Sequence, residues 1–322
     1  MKKILILSTL FSLMVFTSCT SRVNEITQKS ELSWGETVTL SNGEQEGILL
    51  HNGKPFTGVL YTLYDQGHLK YEDEFQDGLK HGFSKRYDYD DYLEEEIMYQ
   101  EGVREGSYTR WFNENQKYIS GQYSNGSESG EWTSYSKNGN VSSKEFFKDG
   151  INDGPYTTYY ENGDISSSGQ FSMGKQIGER TSYFENGNVK IKEFFKDGRH
   201  DGHFTEYWEN GNVRSNIFFK DGSRDGPYTQ NWENGNLRES GQYSMGLKIG
   251  EWTTYFENGN VKIKEFLKNL YPDGQISKTD GPYTQYWENG NLRESGQYSM
   301  GLKIDEWTFY EMDGTVSEKK TY

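Results

Sequence analysis

The sequence is short of what a catalytic or nucleic-acid-binding protein needs. Its 322 residues include one cysteine, Cys19, which excludes an intramolecular disulfide framework. Positive charge is outnumbered, with 34 Lys and Arg against 49 Asp and Glu and a formal net charge of -15. Such a chain is repelled at long range by nucleic acid and by anionic headgroups, and no basic stripe offsets this. No nucleic-acid partner is expected. The acidity reads as a solvated surface, with attraction to a basic partner as the alternative. Five histidines are scattered through the chain, and only His200 and His203 lie close together. Exposed turn residues explain that pair better than a zinc site, which needs further ligands. There is no Cys–His pair, no nucleophile elbow and no phosphate loop. Neither an enzyme nor a cofactor is expected. Hydrophobic residues make up only 32% of the chain, which alone would suggest disorder.

What is present is aromatic. Phe, Trp and Tyr are 16% of the residues, and they recur at fixed intervals that a disordered chain would not hold. The stretch Gly202 to Phe219, GHFTEYWENGNVRSNIFF, shows the unit. Phe204, Tyr207 and Trp208 favour a strand. Asn210-Gly211 then signals a tight hairpin, expected to be type I′ with positive φ at both central residues. Val213 to Phe219 is the return strand, and Asp221-Gly222 begins the connection to the next copy.

With the first Gly of a copy numbered zero, it falls at Gly58, Gly82, Gly106, Gly130, Gly154, Gly178, Gly202, Gly226 and Gly250, always 24 residues apart. A seven-residue insertion then moves it to Gly281, and Asp305 takes the place in the last copy. That gives eleven copies. Asn-Gly turns recur at Gly139, Gly163, Gly187, Gly211, Gly235, Gly259 and Gly290. A second rhythm overlies the first. Copies with Gly at position fifteen (Gly121, Gly169, Gly241, Gly296) mostly alternate with copies carrying Glu there (Glu145, Glu193, Glu265). The second copy is degenerate: Asp91 replaces its turn glycine, and Asp88, Asp90, Glu94, Glu95 and Glu96 crowd around it. A looser, solvated hairpin is expected, with a cation site as the sharper alternative. Asp-Gly-x-x-Asp-Gly, as at Asp149 to Gly154, reads as turn chemistry rather than a calcium loop.

The N-terminus is of another kind. Residues 1–18 carry Lys2 and Lys3, then an apolar segment from Ile4 to Phe16, as a secretory signal does. The segment ends Phe16-Thr17-Ser18-Cys19, which resembles a bacterial lipobox, although Phe16 departs from the usual Leu. Cys19 is then the expected lipid-attachment residue of an exported, membrane-tethered lipoprotein, most simply in the outer membrane. Residues 19–46 form a tether, with Trp34 to Leu40 as a candidate cap strand on the array. Residues 47–322 form the array, and its insertion, residues 269–275, reads as a loop on one edge.

The fold class follows from the repeat. An all-β, elongated and twisted antiparallel sheet of serial hairpins is expected, because single copies bury too little to fold alone. Positions two and six of each copy share one face, and positions three and five the other. The pattern G-x-W/Y-x-x-Y-W/F-E-N-G-N-L/V, closing on an aromatic and then D-G-x-x-x-G, resembles the MORN repeat in its bacterial variant. The resemblance covers about residues 47–322. It implies a protein-interaction or membrane-associated scaffold; some bacterial members are labelled YwqK-like antitoxins. The aromatics support two readings. They pack on one another, or Trp111, Trp132, Trp208, Trp232, Trp252, Trp287 and Trp307 present a binding surface. The partner would be an envelope protein, or a glycan such as peptidoglycan lying on exposed Trp and Tyr rows. The oligomeric state is not specified by these features, and no metal is expected.

Overall fold

The computed structural model describes residues 13–16, 32–269 and 277–322. Cys19, the rest of the expected leader and residues 270–275 of the expected loop lie outside the described residues. Within them the regular structure is all strand, joined by tight turns. The strands group into two compact units, Met1–Gly163 and Asp164–Tyr322.

In the first unit, nine described strands from Gly58–Leu63 to Ile151–Tyr159 form an antiparallel meander. Leu13–Phe16 pairs with the outer strand of that meander, from Val59 to Thr62. In the second unit, thirteen described strands run in the same way from Ile165–Ser172 to Val316–Thr321. The expected all-β, antiparallel hairpin array is the observed one. Its register holds across copies. Position zero faces position seventeen, as in Gly202↔Phe219, and position two faces fifteen, as in Phe204↔Ile217.

The turns differ from expectation in type. At Gly211 the amide donates to the Trp208 carbonyl at 2.9 Å, and Trp208 N donates to Asn212 O at 2.8 Å. Gly211 sits at φ 88, but Asn210 is absent from the positive-φ residues. The loop is therefore a type I turn closed by a glycine bulge, not type I′. Type I′ geometry occurs instead at the connections: Asp221 and Gly222 have φ of 50 and 86 between the paired Lys220 and Ser223. Each connection is thus a second hairpin.

The reason lies in the asparagines. Asn210 Oδ1 accepts from Asn212 N at 2.9 Å, which holds Asn210 on the ordinary side of φ. The Nδ2 groups of Asn210 and Asn212 then donate to the Glu233 carbonyl of the next turn, at 3.0 and 2.9 Å. The same double donation joins Asn234 and Asn236 to Glu257, Asn258 and Asn260 to Glu288, and Asn289 and Asn291 to Met312. Turn is tied to turn along that edge. Asp313-Gly314-Thr315, in the last turn, offers no amide side chain and ends the series.

The degenerate second copy closes the same way. Asp91 takes φ 63 in place of glycine, Asp88 Oδ1 accepts from Asp90 N and Tyr92 N, and Asp91 N reaches Asp88 O at 3.2 Å. Short acidic side chains tolerate the left-handed region and cap their own turn. The hairpin is as closed as its neighbours.

The expected cap is also placed differently. Leu32–Thr39 pairs with Gln45–His51 in a separate three-stranded sheet with Lys54–Pro55, rather than extending the array edge. This sheet lies along the first connection turns. Leu49 N donates to Gly78 O at 2.8 Å, and an added Cβ at Gly78 would meet Ile48 at 2.2 Å. At Gly102 it would meet Leu40 at 2.9 Å. The turns let Leu49 and Phe56 bury with Leu60 and Phe75 in one cluster, which an added edge strand would leave open to water.

Candidate binding surfaces

Each unit has an aromatic spine, made by positions two and seventeen. Tyr228 meets Tyr243 at 5.5 Å between ring centroids, and both meet Trp252, at 5.5 and 5.2 Å. Tyr283, Tyr298 and Trp307 repeat the group, and Tyr108, Tyr123 and Trp132 make it in the first unit. Most of the contacts are edge-on or tilted, which suits the ring quadrupoles. Burial, then the Glu239 charge, pushes the Tyr228 phenol up to about 12. Burial and Glu294 do the same to Tyr283, also to about 12. Both phenols stay neutral across any physiological range.

Trp132, Trp252 and Trp307 are 5%, 2% and 0% exposed. They belong to this core and leave the candidate binding surface. Each lies flat on a glycine of the preceding return strand. An added Cβ would stand 2.2 Å from Trp132 at Gly121, 2.3 Å from Trp252 at Gly241 and 2.3 Å from Trp307 at Gly296. Where position fifteen is Glu, the residue opposite is smaller: Glu145↔Tyr156, Glu193↔Phe204 and Glu265↔Tyr283. That glutamate is held by the neighbouring strand, through Asn152 at 3.3 Å, His200 at 2.6 Å or Thr279 at 2.9 Å. The second rhythm is therefore largely a packing alternation: glycine under tryptophan in three copies, with Arg180 following Gly169 in the fourth, and glutamate opposite a smaller ring.

His200 and His203 are engaged separately. His200 pairs with Glu193 and lies between Phe195 and Phe219, while His203 packs on Phe218. No group of three metal-ligating side chains occurs among the described residues. In the acidic second copy, Glu94 and Glu95 pair with Arg86, and Glu95 accepts from the Tyr108 hydroxyl at 2.8 Å.

Position six behaves differently from position two. Trp208, Trp232 and Trp287 are half-buried, and each carries an arginine over its ring. Arg214, Arg238 and Arg293 stand 4.7, 4.8 and 4.6 Å from the three centroids. The indole N–H groups of Trp208 and Trp287 donate to the Asn231 and Tyr310 carbonyls. Trp232 Nε1 has no such partner. Trp111 is half-buried at position five, on the other face. The turn glycines Gly139, Gly163, Gly187, Gly211, Gly235, Gly259 and Gly290 form the bulges of the asparagine edge, with φ between 84 and 93. The arginine cover had a sequence signal, a Lys or Arg at position twelve beside an aromatic at position six.

A family profile described as the MORN repeat variant matches seven segments: residues 128–149, 152–172, 176–197, 201–221, 224–245, 248–269 and 279–300. Residues 128–300 are a MORN repeat variant array. The matched segments coincide with the 24-residue copies whose alternating packing is described above. A comparison with curated protein sequences finds no match. Among solved structures, a TcdB2–TccC3–Cdc42 crystal structure aligns at 10% identity and TM-score 0.15, over 90% of this chain and 18% of that one. A TcdB2–TccC3 structure aligns at 12% identity and TM-score 0.15, over 89% and 23%. The MORN chain thus spans about a fifth of the length of those chains.

Proposed function

We propose that this MORN array is a non-enzymatic scaffold, tethered to the bacterial envelope by a lipid on Cys19, that binds a partner protein through its position-six face. The row of arginine-covered tryptophans carries the reading. Trp and Arg dominate protein–protein hot spots, and half-buried, pre-ordered side chains lose little entropy on binding. The glycan alternative needs flat indole faces open to solvent. Guanidinium groups cover three of the rings and burial takes three more, so the tryptophan rows favour a protein partner.

The test is cross-linking in intact cells followed by membrane fractionation. The wild-type chain should stay with the membrane and carry a specific cross-linked partner. Changing Trp208, Trp232 and Trp287 together to Ala should abolish that cross-link while the chain stays anchored. Cys19→Ala should move chain and partner together into the soluble fraction. An unchanged cross-link in the triple variant removes the proposed face, and unchanged fractionation of the Cys19 variant removes the anchor.

A further inference from the structure

The irregular second and third copies hold a cavity that the regular copies fill. Ser84 stands where Phe204 stands five copies later, 120 residues along the chain. Four neighbours match, since Ile97, Arg104, Tyr108 and Tyr123 correspond to Ile217, Arg224, Tyr228 and Tyr243 at the same offset, whereas Lys80 and Tyr99 stand in place of His200 and Phe219. In the second unit, Phe204 packs on Phe219 at 6.0 Å and closes the spine. In the first unit the ring is absent, and a cavity of about 310 Å³ opens, lined by Ser84, Tyr99, Arg104, Tyr108 and Tyr123 among others. That volume is at the low end for a small-molecule site and suits one ring.

The charges of this cavity are unevenly matched. Lys80 pairs with Asp73 at 2.9 Å, and Arg86 pairs with Glu94 and Glu95 at 2.9 and 3.5 Å. Arg104 is exposed and makes no ion pair among the described residues; Tyr99 and Tyr123 line the cavity beside it. Its guanidinium lies 5.4 Å from the Tyr123 centroid. A second cavity, of about 350 Å³, shares Lys80, Tyr99 and Arg104 and is bounded by Glu44 and Glu46 of the N-terminal sheet. The combined space offers the exposed guanidinium of Arg104 on its wall, phenol rings and hydroxyls beside it, and carboxylates at one end.

The geometry points to a binding site for a sugar acid, a polyhydroxylated ring bearing one carboxylate. The carboxylate satisfies Arg104 bidentately. The tyrosines supply ring faces and hydroxyls to a pyranose. Glu44 and Glu46 accept its hydroxyl protons at the far end. A dianion such as phosphate would meet those same carboxylates and Glu95, so a single negative charge is the better match. The site uses none of Trp208, Trp232 and Trp287 and does not depend on their binding a partner.

Isothermal titration of the purified full chain tests the site with D-glucuronate, D-glucose, acetate and inorganic phosphate as probes. Glucuronate should bind, with the other three weaker by about tenfold or more, the worth of one charge-assisted contact or of the ring. A glucuronate-terminated disaccharide that binds as well as the free acid places the source at a glycan end; binding of the free acid alone places it in solution. Ser84→Phe should abolish binding while the chain stays folded, because the ring fills the space as Phe204 does; the melting temperature should fall only modestly, since the Ser84 hydroxyl's bonds to Asp73 and Lys80 are lost. Ser84→Leu gives the same reading should the larger ring not be accommodated. Arg104→Gln should weaken glucuronate about tenfold and leave glucose unchanged. No heat with glucuronate, equal binding of glucose, or full binding by the folded Ser84 variants overturns the assignment.

Discussion

Deleting Gly202–Asp225 should leave a folded, shorter array, whereas deleting Gly226–Ile249 should unfold part of it, although each removes 24 residues. The difference lies in what the junction brings together. The first deletion sets Glu193 opposite Tyr228, a pairing the chain already uses at Glu145↔Tyr156 and Glu265↔Tyr283. The second sets Ile217 beneath Trp252, which now lies on Gly241 with an added Cβ only 2.3 Å away. A branched side chain there must expel an indole that is 2% exposed. Losing its burial and straining the neighbours costs about 3 kcal/mol or more. In a repeat array this cost falls on the nearest interfaces, so rungs beyond the junction should exchange amide protons fast while earlier ones stay protected. Hydrogen exchange on both deletion variants reads it directly. Equal protection in the two would mean that copies are interchangeable and the alternation has no energetic content.

Gly241→Glu should be among the most damaging single changes in the second unit, together with its counterpart Gly296→Glu. Its backbone is not left-handed, so the cost is steric and not conformational. The introduced side chain occupies the space of the Trp252 rings, and Lys248, 4.0 Å over that indole, loses its platform. A loss of about 3 kcal/mol is expected, approaching the roughly 3–5 kcal/mol of removing the tryptophan outright. The protein should show it as a lower melting temperature and as faster exchange in Leu237–Ser244 and Leu247–Tyr255.

Much of this architecture is legible in the residue spacing. The copies, the strand faces and the aromatic spine follow from a period of 24 and a strand alternation of two. The turn type does not, because Asn-Gly is compatible with two hairpin geometries. The choice goes with a local bond, from Asn212 N to Asn210 Oδ1 and its equivalents, which recurs with Asp313 where no amide reaches a next copy. The tryptophans divide for a non-local reason. Trp252 and Trp232 are alike in composition and only 20 residues apart. One is buried because Gly241 lies beneath it, and the other is half-open because Arg238 lies above it. The glycine rhythm was visible, but its meaning needed the register that places position fifteen against the following position two. The Ser84 cavity was visible only as a missing aromatic, and the walls that make it a site come from three different copies.

Successive rungs are held by size-matched filling between position fifteen of one copy and position two of the next. A double-mutant cycle with Gly241→Glu and Trp252→Tyr tests it most directly, since the pair recreates the Glu265↔Tyr283 arrangement. Each single variant should be destabilised and the double variant should recover most of the loss, a coupling of about 1–3 kcal/mol. Additive losses in the double variant would contradict it.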